Sequence, residues 1–209
     1  MKVKNLLLST VVFAGVVLVS ACGSPAESKE ETAEEVAVEE TPEEISADVK
    51  LDQSTVVWSG QMLGMYNHEG TINLTAGNVN MTGDQVTGGS FTIDMTSIMP
   101  TDNNFDPANG GTPEKLVGHL SSEQFFDVAN HPTATFEING NNEGSLIGSL
   151  TVRGISNEES IENVSYDATT NTVNGTLTFD RKKYDVSYDM EAKDMIISDD
   201  IELNISLVL

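Results

Sequence analysis

Few residues of this chain are equipped for chemistry. Its histidines are His68, His119 and His131. No two of them stand at a zinc-motif spacing and no cysteine joins them, so a metal site could only be assembled from distant parts of the chain. His68, in Tyr66-Asn67-His68-Glu69-Gly70, reads as a hydrogen-bonded structural residue on a strand. The oxygen-rich run Asp102-Asn103-Asn104-Phe105-Asp106 lacks the glycine and the terminal glutamate of an EF-hand, and reads as a solvated loop. No Gly-x-Ser-x-Gly elbow, phosphate loop or dinucleotide fingerprint is present. Carboxylate pairs are too common in so acidic a chain to point to glycosidase chemistry. Arg153 and Arg181 stand out because basic residues are scarce, and each ends a strand-like run. Either can pair with a carboxylate as a structural ion pair, or orient the polar head of a ligand. No catalytic constellation emerges, and neither an enzyme nor a cofactor is expected.

The elements that would position these groups are strands. Val56 and Trp58 alternate within Thr55-Gly60, and Phe91, Ile93 and Met95 alternate with Thr92 and Asp94. Phe136 and Ile138, Leu150 and Val152, Leu177 and Phe179, and Val186 and Tyr188 follow the same period. The longest run is Ile201, Leu203, Ile205 and Leu207. Period-two alternation gives one wet and one dry face. Thr82-Gly83-Asp84 and Gly88-Gly89 read as turns flanking one strand, and Asn139 to Gly144 and Thr169 to Asn174 as hairpin loops. Short turns between close strands indicate an antiparallel sandwich or an up-and-down barrel. A barrel of about eight strands has room for packed side chains or one elongated ligand.

One segment breaks the strand pattern. From Lys115 to Phe136, Leu116, Val117 and Leu120 make half of an amphipathic helical face. Ser121 or Ser122 can cap a second short turn holding Phe125 and Phe126. His131-Pro132 ends it, because the residue before proline is pushed out of the helical region. A paired aromatic on a short helix suits a plug or lid, and equally an ordinary core.

The N-terminus carries an address. Residues 1–21, with Lys2, Lys4 and an apolar run from Leu6 to Val19, read as a secretory signal peptide. The run ends Val19-Ser20-Ala21-Cys22, which resembles the lipobox of bacterial lipoproteins and makes Cys22 the lipidated residue. Cys22 is the only cysteine, so no intramolecular disulfide can form. Residues 22–47 are glutamate-rich and low in aromatics, and read as a disordered tether. The Ser28-Lys29-Glu30-Glu31 stretch resembles a surface-export signal. The expected location is the bacterial cell envelope, anchored to a membrane by lipid and facing either periplasm or exterior. A net charge of −23 argues against a nucleic-acid partner.

From about Asp48 to Leu209 one folded domain is expected. Its landmarks are Trp58, His68-x-Gly70, Gly88-Gly89-Ser90-Phe91-x-Ile93-Asp94 and His119-Leu120-Ser121-Ser122-x-x-Phe125-Phe126-Asp127. Pro132-Thr133-Ala134-Thr135-Phe136, Gly148-x-Leu150-Thr151-Val152-Arg153-Gly154 and Phe179-Asp180-Arg181 follow. This series resembles the YceI-like family of exported bacterial proteins. The resemblance implies an all-β, antiparallel, lipocalin-like barrel of about eight strands with a short helical insertion around residues 113–128. It also implies non-catalytic binding of a polyisoprenoid or isoprenoid quinone in the pore. By match to the motifs, Trp58, Phe91, Phe125, Phe126, Phe136 and Phe179 line the core or the pocket. His68, Ile93, Leu116, Leu120, Leu150, Arg181, Leu203 and Ile205 complete the candidate pocket. The alternative is a filled barrel serving as an envelope structural or interaction module, and pairing of two copies stays open. Tyr184 and the loop from Thr101 to Thr112 depart from the family pattern.

Overall fold

The computed structural model describes residues 43–63, 66–142, 144–186 and 196–209. The expected signal peptide, Cys22, most of the tether, and Tyr188 lie outside them. The strands are β1 (Glu44–Asp48), β2 (Thr55–Leu63), β3 (Tyr66–Thr82), β4 (Gln85–Pro100), β5 (Thr133–Asn142), β6 (Ser145–Val152), β7 (Ile155–Asp167), β8 (Thr172–Asp180) and β9 (Ile196–Val208). One helix, α1 (Pro113–Ser121), lies between β4 and β5. The sheet runs β1-β3-β2-β9-β8-β7-β6-β5-β4, and β4 pairs back onto β3. β1 and β2 share one edge of β3: β1 takes Asn78 to Thr82, and β2 takes Tyr66 to Ile72. The result is a closed antiparallel barrel of eight strands with β1 extending one seam. Closure leaves β2 to β9 paired around the ring, without the free edges that would otherwise invite pairing with other chains.

Alternation explains the wall. In β6, Leu146, Gly148, Leu150 and Val152 point inward and the residues between them are half exposed. In β5, Ala134, Phe136 and Ile138 do the same. Burying each large aliphatic or aromatic side chain contributes about 1.5–3 kcal/mol. The core is therefore the barrel interior.

Several expectations need correction. Glu44–Asp48, which overlaps the end of the expected tether, is strand β1, because Ile45 to Asp48 find main-chain partners on β3. Gly88-Gly89 is not a turn; it lies inside β4. Gly89 has φ +144°, and a Cβ there would collide with the Asn78 carbonyl of β3, so only glycine lets the two strands approach. The turn next to it is the two-residue Gly83-Asp84, with Gly83 at φ +59°. Asn139 to Asn142 continue β5, and β8 begins at Thr172, so both hairpin loops are tighter than expected. Val186 itself lies outside the strands: it follows a 3₁₀ turn, Arg181–Tyr184, and is fully buried.

The helical insertion around residues 113–128 is present as one helix followed by a tight turn. Thr112 caps α1, its Oγ1 accepting from the Lys115 N–H at 3.3 Å, and Pro113 takes the first turn, where no N–H is needed. The helix stops at Ser121. Ser122 closes it rather than capping the next turn: its hydroxyl donates to the His119 carbonyl at 2.7 Å. The Ser122 carbonyl then accepts from the N–H groups of Phe125 and Asp127, at 3.0 and 2.8 Å. This tight turn buries Phe125 and Phe126.

Candidate functional site

The barrel is hollow at the end covered by α1. A cavity of about 770 Å³ opens there. A second, of about 60 Å³, lies further along the interior, and its wall is almost wholly aliphatic and aromatic. The larger chamber is walled by Trp58 and Ile72, by Ile93, Met95 and Ile98 of β4, and by Leu150, Val152, Phe179 and Ile201. Leu116 and Leu120 of α1 and the Phe125-Phe126 turn cover it. The smaller chamber is walled by Phe91, Phe136, Leu146, Leu177 and Ile205, among others. Ile93, Leu203 and Ile205 point inward yet are only half buried, because their exposed surface faces the hollow.

Each aromatic at the larger chamber is held by a specific contact. The Trp58 indole N–H donates to the Thr71 carbonyl at 3.1 Å, which satisfies its polar edge. Phe125 and Phe126 meet edge to face at 4.8 Å between centroids, and His119 packs against Phe125 at 5.3 Å. Burial pushes the His119 pKa below the ordinary imidazole value, so this wall carries a neutral ring at neutral pH.

The loop after β4 forms part of the rim. Phe105 stacks on His68 at 4.8 Å, and both line the larger chamber. His68 Nδ1 lies 3.2 Å from the Asp102 carboxylate. That carboxylate also accepts from the N–H groups of Glu69, at 3.0 Å, and Asn104, at 2.7 Å. Burial alone would raise the Asp102 pKa, but the N–H groups of Asn104 and Glu69, with His68, hold it below the usual carboxylate range. Asp102-Asn103-Asn104-Phe105-Asp106 is thus not merely a solvated loop. Asp102 anchors it to β3, and Phe105 reaches the cavity.

The two arginines differ. Arg181 is 3% exposed and lines the larger chamber. Its guanidinium donates to the carbonyls of Ser198 (3.0 Å) and Val186 (2.6 Å), and lies 3.4 Å from Asp199. Among the described residues Arg153 makes no ion pair with a carboxylate. It donates to the carbonyls of Phe125 (2.8 Å) and Asp185 (2.7 Å), tying the aromatic turn to the 3₁₀ turn. His131 lies apart from the chamber, 3.8 Å from Asp127. Among the described residues no group of three or more His, Cys, Asp or Glu side chains is placed to hold a metal.

Every residue expected to line a pocket lies on one of the two walls. Trp58, His68, Leu116, Leu120, Phe125, Phe126, Phe179 and Arg181 face the larger chamber. Phe91, Phe136 and Ile205 face the smaller one, and Ile93, Leu150 and Leu203 face both. Met95, Ile98 and Phe105 were not anticipated as lining. Met95 shares the alternation of Phe91 and Ile93, so the signal for it was present. Phe105 carried none, since its inward turn depends on the Asp102 anchor.

The chain is similar to known proteins. A family model for the YceI-like domain matches residues 48–209. The UPF0312 protein of Staphylococcus aureus (strain bovine RF122 / ET3-1) is 28% identical over 98 residues. That match covers 42% of this chain and 57% of the relative, so the chain spans little more than half of that relative's length. BcnA of Burkholderia cenocepacia has the same fold, with a TM-score of 0.60 at 20% identity over 77% of this chain and 98% of that one. A polyisoprenoid binding domain from Saccharophagus degradans, implicated in plant cell wall breakdown, aligns over 77% of this chain and 95% of that one at 9% identity, with a TM-score of 0.47. With a family model spanning the whole barrel and the barrel itself in view, the chain belongs to the YceI-like family.

Proposed function

We propose that this protein binds and carries, without catalysis, a long apolar molecule of the polyisoprenoid or isoprenoid quinone class inside its barrel. The observation that carries this reading is the hollow of about 770 Å³ whose wall is mainly apolar. A volume of this size falls within the range of about 300–1,000 Å³ of small-molecule sites. Apolar burial at roughly 25 cal/mol per Å² supplies the affinity. The polar groups at the larger chamber, His68, Arg181 and their partners, are engaged with the protein itself, which suits a site that holds its ligand by shape and burial. The reading agrees with what the sequence resemblance implies. The Val19-Ser20-Ala21-Cys22 motif supports lipidation at Cys22 and attachment to a membrane of the bacterial envelope.

Native mass spectrometry of the exported protein, purified from its membrane, tests the reading. The expected result is an added mass matching a polyprenyl chain or quinone. A bare protein mass, with no shift on adding a quinone, replaces it with the interaction-module reading. In the same fractionation Cys22→Ser moves the protein from membrane to soluble fraction; retention in the membrane would end the anchor proposal.

A further inference from the structure

The interior of the barrel is not a uniform tube. The two chambers share four wall residues: Val56, Ile93, Leu150 and Leu203. They come from β2, β4, β6 and β9. In the sheet order β2 and β9 are neighbours, while β4 and β6 flank β5. The first pair is separated from the second by β8 and β7 in one direction and by β3 in the other, so the pairs face each other across the barrel. All four side chains are branched aliphatics, and Val56 and Ile93 are stiff at χ1. Behind them, Leu146 and Leu177 are 3% and 2% exposed, and the space falls from about 770 to about 60 Å³. Packing of that density does not open without loss of its own contacts.

Resting on the binding reading above, we infer that Val56, Ile93, Leu150 and Leu203 form a length stop. An apolar chain entering beneath α1 gains burial along the larger chamber until its tail meets this ring. Carbons beyond that point have to displace packed side chains or stay in water. The favoured ligand is therefore an apolar chain whose tail ends at the ring, not one that runs the whole barrel.

The test is a titration of n-alkyl benzoquinones of increasing chain length into the full chain after removal of bound lipid. Emission of Trp58, the sole tryptophan and a wall residue of the larger chamber, reports binding. Affinity is expected to rise about fourfold per added methylene, then to flatten once the tail reaches the ring. Leu203→Ala and Leu150→Ala, on facing walls, each move the flattening to longer chains. Each added methylene that the widened ring admits raises affinity about fourfold over the native protein. Either folded variant suffices. Affinity that climbs without a break in the native protein, or a break that stays in place in the folded variant, overturns the length stop and leaves the binding reading standing. Failure of every chain length to bind overturns the binding reading itself, and the stop with it.

Discussion

The Tyr184 side chain is fully buried, and its hydroxyl donates to Glu159 at 3.1 Å. Glu159 is itself 8% exposed and takes a second donor from Lys183 at 3.1 Å. Burial and the adjacent Glu159 carboxylate push the Tyr184 phenol well above its ordinary pKa. A raised folded-state pKa means that the stabilisation is fully present below the unfolded tyrosine value, about 10, and is lost as pH rises beyond it. Tyr184→Phe removes a donor from a buried carboxylate and costs about 1–3 kcal/mol near neutral pH. Urea unfolding of both proteins checks this: the native advantage is expected to shrink above about pH 10, and a constant difference would show an unperturbed phenol. The same residues explain a gap in legibility. β7 places Glu159 at an inward position where alternation calls for an apolar residue, so the strand did not announce itself in the sequence. Its partner, Tyr184, lies 25 residues away.

At the scale of elements, β3 decides how the barrel closes. It is 17 residues long, pairs with β1 and β2 on one edge and β4 on the other, and bends through register shifts in the β4 pairing. Gly70 sits where β3 passes between Trp58 of β2 and the end of β4. A Cβ there would collide with the Met99 carbonyl and come within 2.5 Å of the Trp58 ring. Gly70→Ala therefore has to displace both a strand backbone and a cavity wall. Overpacking of this kind costs about 2 kcal/mol, equivalent to a fall in Tm of roughly 4–8 °C for a domain of this size. Thermal unfolding followed by circular dichroism measures it, and an unchanged Tm would mean that Trp58 has free space to move into. The period-two pattern of β2, β5, β6, β8 and β9 was plain in the sequence. That of β3 was diluted by the glycines and asparagines that let it bend and take three partners.

For the whole molecule, a hollow barrel has a thermodynamic consequence that a filled one lacks. A ligand that binds only the folded state stabilises it by about 2.7 kcal/mol at a hundredfold excess over Kd. Adding a prenyl quinone to the lipid-free protein is expected to raise Tm in a concentration-dependent manner and to quench Trp58. A Tm indifferent to quinone would favour the interaction-module reading. The sequence alone was enough to determine the strand-dominated fold class, the helical interruption after β4, and the aromatic and aliphatic residues that turn inward. These follow from local periodicity and turn chemistry, which act over a few residues. Tertiary structure decided that the sheet closes through β3 and β4, that Arg153 reaches main-chain carbonyls, and that Asp102 draws Phe105 over the cavity. It also divided the interior into two chambers at Val56, Ile93, Leu150 and Leu203. Those four residues stand far apart in the chain and meet only when the strands complete the barrel, so no local pattern could reveal where the hollow ends.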